Sequence, residues 1–223
     1  MAPRSFLVPD DLQDYLLDHT APVDDVQRSL IDATVALGDV AGMQIAPDQG
    51  VLLTLLTRLV GARRAIEVGT FTGYSSLSIA RGLPDDGTLV CCDVSEEWTA
   101  IARHHWALAG VDHKIELRIA PALDTLAALP DGDGDGDAFD LAFVDADKGR
   151  YTAYVDALVP RLRPGGLLLI DNVLWSGAVV RPDADDADTV AIRACNDHVA
   201  AHPDLESLIL AFGDGLTLAR KRD

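Results

Sequence analysis

Hydrophobic residues follow two different patterns along the chain, and the change between them falls near residue 60. Before that point, apolar positions recur with helical spacing, which predicts three helices at Asp10–Leu17, Val23–Leu37 and Gln49–Val60. After it, short and nearly continuous apolar runs alternate with amphipathic segments. Such runs are typical of parallel strands that are covered on both faces. The sequence therefore predicts a helical extension over residues 1–60, followed by an α/β region.

The α/β region alternates between predicted strands and predicted helices. The strands are Ala65–Val68, Thr88–Cys92, Lys114–Ile119, Phe139–Val144 and Gly166–Ile170. The crossover helices are Ser75–Arg81, Glu96–Ala109, Ala122–Leu129 and Tyr151–Leu162. After a loop and one more helix, Gly213-Asp214-Gly215 predicts a tight turn between the strands Ser207–Phe212 and Leu216–Ala219. We expect residues 1–223 to form one α/β domain with a Rossmann-like, doubly wound sheet of seven strands, mostly parallel, with an antiparallel C-terminal hairpin.

Composition and charge exclude several classes of protein. The chain has 223 residues, of which 48% are hydrophobic, and no apolar run approaches the ~18 residues that a membrane span requires. The first residues include no long apolar segment, so we expect no signal peptide. A net charge of -18 argues against nucleic-acid binding, which requires many Lys and Arg. Cys91, Cys92 and Cys195 lack metal-ligand spacing and are expected to be reduced core thiols in a cytoplasmic protein.

Two glycines, Gly69 and Gly73, lie between the first strand of the α/β region and the helix that follows. Glycine in this position lets the backbone turn sharply and approach a ligand closely. A nicotinamide dinucleotide site requires the spacing Gly-x-Gly-x-x-Gly around a pyrophosphate, whereas this turn is Gly-x-x-x-Gly with Phe71 at its centre. The turn therefore favours S-adenosylmethionine, which has a ribose and a sulfonium but no phosphate. The alternative is an ordinary corner between a strand and a helix.

Two acidic residues accompany this turn. Asp93 ends the second strand, where a carboxylate can accept hydrogen bonds from both ribose hydroxyls of a cofactor. Glu67, at the end of the first strand, is expected either to hold the amino group of the methionine part or to support the turn. If the turn is only a corner, Asp93 is a solvated residue with no ligand.

Polar side chains also follow the fourth and fifth strands. Asp145 comes directly after one, and Asp171-Asn172 after the other. Ligands of an open parallel sheet bind outside the carboxyl ends of its strands, and carboxylate and amide oxygens suit a hard divalent cation. Lys148 lies beside this charge as a base or an anchor. Taken singly, Asp145 indicates a helix cap, Asp171-Asn172 a turn and Lys148 a surface residue, but together they favour a metal site.

Four segments of the chain carry a family resemblance. They are residues 67–75, 109–115, 143–148 and 171–177. The chain resembles the cation-dependent O-methyltransferases of the caffeoyl-CoA and catechol O-methyltransferase family, from about Met43 to Val180 and again in the C-terminal hairpin. The resemblance implies a class I methyltransferase fold, S-adenosylmethionine as methyl donor, and a divalent cation, with Mg²⁺ favoured and Mn²⁺ or Ca²⁺ as alternatives. It also implies a homodimer and a small diol or phenolic substrate.

The resemblance also assigns roles to individual positions. Asp145, Asp171 and Asn172 match the metal ligands, and Lys148 matches the catalytic lysine. The positions that match cofactor contacts are Met43, Glu67, Gly69, Thr70, Ser75, Asp93, Ala122 and Asp145. Trp175 is interpreted as a wall of the acceptor pocket, with a core aromatic as the alternative. Gly149-Arg150 replaces an Asp-Asn pair that many relatives have, and this weakens any transfer of acyl-CoA specificity to this chain.

The proposed chemistry is in-line transfer of the sulfonium methyl to a phenolate oxygen, with two adjacent oxygens held by the cation and Lys148 taking the phenolic proton. Two other functions are considered. One is an NAD-dependent oxidoreductase, and the other is a catalytically inactive methyltransferase fold that only binds ligands. The acidic stretch Asp131–Asp137 superficially resembles a calcium loop, but Ala142 stands where such a loop requires Glu, so we interpret the stretch as a flexible loop.

Overall fold

The computed structural model describes residues 5–130 and 137–223, so most of the acidic stretch Asp131–Asp137 lies outside the described residues. The helices are α1 (Asp10–Asp18), α2 (Asp25–Val35), α3 (Pro47–Leu59), α4 (Tyr74–Gly82), α5 (Glu96–Leu108), α6 (Ala122–Ala128), α7 (Tyr151–Leu158) and α8 (Ala187–Ala201). The strands are β1 (Arg64–Val68), β2 (Thr88–Asp93), β3 (Ile115–Ile119), β4 (Phe139–Val144), β5 (Leu162–Ile170), β6 (Leu205–Leu210) and β7 (Leu216–Lys221). Short 3-10 helices include Gly38–Met43, Lys148–Arg150 and Trp175–Val180.

The strands form one sheet in the order β3-β2-β1-β4-β5-β7-β6. Strands β1 to β5 pair in parallel, and β7 runs antiparallel to both β5 and β6. The strand order reverses between β1 and β4, which is where doubly wound sheets open a crevice for ligands. The predicted fold class, with seven strands and a terminal antiparallel hairpin, is confirmed.

The sheet separates two hydrophobic cores, as strand periodicity requires. Along β4, Leu141 and Phe143 belong to one core, and Ala142 and Val144 belong to the other. The first core includes residues of α2, α3, α4 and α5, and the second includes residues of α6, α7 and α8. Cys91 and Cys92 are divided between the cores in the same way, and both thiols are buried and free, as the sequence predicts.

Helices α2 and α3 cover one side of the α/β region. Helix α2 begins at a capping box in which the Asp24 carboxylate accepts from the backbone N–H of Gln27 and the Gln27 side chain accepts from the N–H of Asp24. It packs on α5, while α3 packs on α4. Thr34 of α2 also donates a hydrogen bond to Thr72 in the turn after β1, at 2.8 Å. The extension is therefore part of the wall behind that turn.

Several predicted boundaries are wrong by two to four residues. The helix predicted over Val23–Leu37 is Asp25–Val35, and the strand predicted over Leu216–Ala219 extends to Lys221. The helix predicted over Tyr151–Leu162 ends at Leu158, because Pro160 has no N–H to continue it, and β5 begins as early as Leu162. The strand predicted over Ser207–Phe212 is Leu205–Leu210, since Leu210 pairs with Leu216 and residues 211–215 form the turn. No helix in residues 5–130 and 137–223 is both long and apolar enough to cross a membrane.

Candidate active site

A cavity of roughly 960 Å³ opens at the carboxyl ends of β1, β4 and β5. Nearly every residue that the sequence predicts as functional lines this cavity. Those that line it are Met43, Gly69, Thr70, Ser75, Asp93, Ala122, Asp145, Lys148, Asp171, Asn172 and Trp175. Glu67 is the exception, because it is fully buried and does not line the cavity. The structure therefore brings the predicted donor site and the predicted cation site into one space.

Backbone hydrogen bonds align the strand ends that carry these residues. Gly69 N–H donates to the Cys92 carbonyl, and Asp145 N–H donates to the Val68 carbonyl, both at 2.9 Å. Asp171 N–H continues the row by donating to the Val144 carbonyl at 2.9 Å. Residues 69, 145 and 171 are consequently neighbours at one edge of the sheet, although they are far apart in sequence.

Gly69 is required by the packing of this edge. Its φ angle is +90°, and a Cβ at this position would lie 1.9 Å from the Asp145 carbonyl oxygen. Gly73, with φ of +88°, faces α5, where a Cβ would lie 2.5 Å from the Ala102 Cβ. Both glycines are explained by close contacts within the protein, and neither contact involves a phosphate.

Asp93 fixes the turn after β1. Its Oδ2 accepts from the backbone N–H groups of Thr70 at 2.9 Å and Phe71 at 2.8 Å, and its Oδ1 accepts from Ser95 N–H at 2.8 Å. Phe71 has a φ of +51°, so these bonds hold a residue in a conformation that side chains disfavour. A carboxylate has about four acceptor positions, so Asp93 retains one for a ligand hydroxyl. The prediction that it accepts from both ribose hydroxyls stays a prediction.

Burial changes the acidity of Glu67. Neither of its carboxylate oxygens has a hydrogen-bond partner among the described residues. Burial raises the pKa of Glu67 to about 7, and the Asp93 charge adds to the shift. The neighbouring hydroxyls of Ser75 and Thr70 oppose the shift without reaching hydrogen-bond geometry. In the cofactor-free protein, this carboxyl therefore titrates near neutral pH.

Glu67 should make the stability of the cofactor-free protein depend on pH. Its pKa rises on folding from 4.5 to about 7, so the folded state holds the proton more tightly. The stabilisation is complete below pH 4.5 and is lost as the pH rises to 7, by about 3 kcal/mol in total. Glu67→Gln should remove this dependence. Urea unfolding at several pH values, with the exposed Glu116→Gln as control, measures it, and equal pH slopes in all three proteins would contradict it.

Lys148 is the centre of the polar cluster at the ends of β4 and β5. Its Nζ donates to Asp145 Oδ1 at 3.1 Å, to Asn172 Oδ1 at 2.6 Å and to the Tyr151 hydroxyl at 2.5 Å. The Tyr151 hydroxyl in turn donates to the Asp171 backbone carbonyl at 3.2 Å. The ammonium thus lies between oxygen atoms that come from both strand ends.

Asp171 is the most enclosed acid of the cluster, with 3% of its surface exposed. Its Oδ2 accepts from Gln49 Nε2 and its Oδ1 from Asn172 N–H, both at 2.8 Å. Burial raises the pKa of Asp171, and the nearby Asp145 charge raises it further. The two carboxylates therefore repel each other, and a positive charge beside them would relieve that repulsion.

The donor atoms fit a hard cation. In the part of the chain that the structure describes, no three His, Cys, Asp or Glu side chains converge as a metal site, so the candidate set depends on the amide of Asn172. Its three members, Asp145, Asp171 and Asn172, supply oxygen only, which Mg²⁺, Mn²⁺ and Ca²⁺ prefer. The Lys148 ammonium already lies between Asp145 and Asn172, at a position where a positive charge is stabilised.

Trp175 follows β5 in the sequence and lines the cavity. The centroid of its ring is 5.7 Å from Lys148 Nζ, and the residue is partly exposed. The alternative of a core aromatic is therefore wrong. Three further residues were missed by the sequence analysis, namely Gln49, Tyr151 and Asp214. Tyr151 follows Lys148 by one helical turn, which is the one signal that pointed to it.

Comparisons with known proteins agree with this geometry. The family model described as O-methyltransferase matches residues 18–222. Caffeoyl-CoA O-methyltransferase 2 of Zea mays is 38% identical over 226 residues, covering 98% of this chain and 85% of the relative. The O-methyltransferase TomG of Streptomyces achromogenes, solved in complex with S-adenosylmethionine, has a TM-score of 0.85 and 35% identity over 96% of each chain. The Bacillus cereus O-methyltransferase, solved with S-adenosylhomocysteine, has a TM-score of 0.86 and 30% identity, covering 95% of this chain and 97% of that chain.

The sheet order, the turn after β1 and the cavity define a class I methyltransferase that uses S-adenosylmethionine. Within that class, the chain belongs to the O-methyltransferase family. The resemblance seen in the sequence is confirmed. Neither an NAD-dependent oxidoreductase nor an inactive binding protein is favoured by these matches.

Proposed function

We propose that this O-methyltransferase requires a divalent cation and methylates one of two adjacent hydroxyls on a catechol-like small molecule. The observation that supports the proposal is the cluster at the ends of β4 and β5. There, Asp145, Asp171 and Asn172 present oxygen atoms beside Lys148, in the same cavity as the turn after β1. Two relatives bear names of this chemistry, the maize caffeoyl-CoA enzyme and Catechol O-methyltransferase domain-containing protein 1 of Mus musculus, which is 38% identical over 217 residues.

Asp145, Asp171 and Asn172 would hold the cation. When bound, a divalent cation supplies positive charge that favours an ionised phenol and a template for two adjacent oxygens. Gln49 keeps the Asp171 carboxylate in place from the side of α3. A monophenol has one oxygen to offer this template, so we propose that the vicinal pair is what the site selects.

We propose that Lys148 accepts the proton of the hydroxyl that is methylated. The reaction breaks the bond between the sulfonium sulfur and the methyl carbon and forms a bond between that carbon and the phenolic oxygen. Lys148 first releases one ammonium proton to solvent, which the charge of a bound divalent cation would favour, and the proton of the hydroxyl then passes to the neutral Nζ. The Tyr151 hydroxyl accepts a hydrogen bond from that nitrogen at 2.5 Å. The backbone hydrogen bonds that align the ends of β1, β4 and β5 fix the position of this cluster relative to the turn after β1. No covalent intermediate with the enzyme is needed.

The rim of the cavity beside Lys148 is formed in part by an exposed ion pair. Arg150 pairs with Asp147 at 3.2 Å between Nε and Oδ2. Asp147 also accepts from the Tyr154 hydroxyl at 2.5 Å. A bound acceptor would lie against this exposed ion pair.

The decisive assay transfers labelled methyl from S-adenosylmethionine to 1,2-dihydroxybenzene or to its 1,3 isomer. We expect product from the 1,2 isomer with Mg²⁺, loss of that product in EDTA, and its return when Mg²⁺ is added in excess. The 1,3 isomer should have a kcat/KM about 100-fold lower, because it offers one oxygen to the site at a time. Equal rates on both isomers, or an unchanged rate in EDTA, would contradict the proposal.

The homodimer, the cytoplasmic location and the single domain over residues 1–223 stay predictions. Each follows from the sequence or from the family resemblance. Size-exclusion chromatography with light scattering measures directly whether the protein is a homodimer.

A further inference from the structure

The turn between β6 and β7, residues 213–215, contacts the segment that carries Trp175. Val173 N–H donates to the Gly215 carbonyl at 3.1 Å, and Leu174 N–H donates to the Asp214 carbonyl at 2.9 Å. A third bond uses a side chain, because Ser176 N–H donates to Asp214 Oδ1 at 2.6 Å. The hairpin turn therefore holds the backbone on both sides of Trp175.

The backbone of this segment is strained. Trp175 has a φ of +48° and Ser176 a φ of +49°, and Gly177 continues the left-handed run with +77°. Residues with a Cβ disfavour this region, and two in succession persist when the surrounding structure holds them. The carboxylate of Asp214 reaches the second of these two residues. It is thus placed to keep the indole of Trp175 on the cavity side.

The contact between the turn and the segment is tight. A Cβ on Gly215 would lie 2.4 Å from Leu174 Cγ and 2.8 Å from Leu174 N, and the φ of Gly215 is +86°. The two pieces of chain therefore have no room to slide past each other. The backbone carbonyls of the turn hold Val173 and Leu174, whereas the Asp214 carboxylate holds Ser176. Loss of that carboxylate would therefore release the segment at Ser176.

The same turn also anchors the N-terminal segment. Ser5 Oγ donates to the Gly213 carbonyl at 2.9 Å, and the next residue, Phe6, lines the cavity. The Phe6 ring lies 3.5 Å from the position that a Cβ on Gly177 would take. The chain neighbours of both Phe6 and Trp175 are consequently hydrogen-bonded to residues 213–215.

We propose that Asp214 is a positioning residue for the methyl acceptor, holding Trp175 as the surface against which an aromatic acceptor ring lies. The inference rests on the proposed function and narrows it to aromatic diols. The Trp175 ring centroid lies 5.7 Å from Lys148 Nζ, so a ring packed against the indole brings its hydroxyls to the end of the cavity that contains Lys148 and Asp145. Asp214 itself acts through the backbone of Ser176.

The test compares Asp214→Ala and Asp214→Asn, with Asp186→Ala as the matched control. Asp186 also accepts a backbone N–H, that of Thr189 at 2.9 Å, where it caps α8. It lines the same small pocket as Trp175 and Asp214, so it controls for the loss of a nearby carboxylate that bonds to another segment. The protein is labelled with 5-fluorotryptophan, and Trp175→Phe assigns one of the three tryptophan resonances. Spectra are recorded with S-adenosylhomocysteine and Mg²⁺, with and without 1,2-dihydroxybenzene.

Asp214→Ala should move or broaden the Trp175 resonance and raise the KM for 1,2-dihydroxybenzene about tenfold, with kcat and the Kd of S-adenosylhomocysteine within about threefold of the wild type. Asp214→Asn keeps an acceptor oxygen and should restore both the resonance and the KM. Asp186→Ala should leave them at wild-type values. If Asp214→Ala does not fold, Asp214→Glu replaces it, since the extra methylene displaces the carboxylate.

An unchanged Trp175 resonance and KM in Asp214→Ala would overturn the inference. So would an equal loss of affinity for S-adenosylhomocysteine and the acceptor, because that result indicates a general structural defect. If the wild type methylates no diol, the proposed function fails, while the response of the Trp175 resonance to Asp214→Ala still decides whether Asp214 positions the indole.

Discussion

Lys148→Met is expected to lower kcat on 1,2-dihydroxybenzene by about 100-fold or more, which is the usual effect of removing a general base. The Kd of S-adenosylhomocysteine should stay close to the wild-type value. The physical reason is that Lys148 Nζ contacts Asp145, Asn172 and Tyr151 and does not contact the turn after β1. Stopped assays of labelled product and calorimetric titration of S-adenosylhomocysteine measure the two quantities.

Lys148→Arg separates two roles of this residue. Arginine keeps the positive charge but does not give up its proton in proteins, so it replaces an electrostatic anchor and fails as a base. We expect Lys148→Arg to be as inactive as Lys148→Met. Lys221→Met, at the far end of β7, serves as the control and should remain active. Recovery of most of the activity by arginine would remove the proton transfer from the proposed mechanism.

Asp145→Asn is expected to weaken binding of Mn²⁺ or Mg²⁺ by at least about 10- to 100-fold and to abolish methyl transfer at ordinary Mg²⁺ concentrations. The substitution keeps the shape of the side chain and removes one of the two carboxylate charges in the donor set. Asp171→Asn should have the same effect. Titration of Mn²⁺ followed by electron paramagnetic resonance, in the presence of S-adenosylhomocysteine, measures the affinity directly.

Asp147→Asn is the matched control for the cation site. Asp147 lies two residues from Asp145, but its carboxylate is engaged by the Tyr154 hydroxyl and by Arg150 at the rim. Its loss should leave Mn²⁺ affinity unchanged. If Asp145→Asn and Asp147→Asn bind Mn²⁺ with equal affinity, the cation does not use Asp145.

The ends of the strands were predictable from sequence because a general rule links them. Parallel strands end at one edge, so polar residues that directly follow apolar runs, such as Asp145 and Asp171, were expected to meet. The turn after β1 was predictable for the same reason. The reason that position 69 must be glycine was less predictable, since the closeness of Gly69 to the Asp145 carbonyl depends on how β1 and β4 pack.

Contacts between distant parts of the chain were not predictable in this way. Gln49 reaches Asp171 across 122 residues, and nothing in its local pattern distinguishes it from other polar residues of α3. The sequence predicts the turn that contains Asp214, and the structure has that turn, but the bond of Asp214 to Ser176 depends on where the hairpin lies over the cavity. Sequence patterns identify which residues end elements, whereas the partners of those residues follow from tertiary packing.

The close contact between Gly69 and the Asp145 carbonyl couples the methyl-donor pocket to the proposed cation site. Any side chain at that position would push against the carbonyl of Asp145, and so a change made to accommodate a different methyl donor would also displace a proposed ligand of the cation. The enzyme cannot remodel its donor pocket and its acceptor pocket independently at this point. Diversification of substrates is therefore expected to arise from side-chain changes at the outer rim, at Phe6, Arg150 and Trp175, which line the cavity outside this contact.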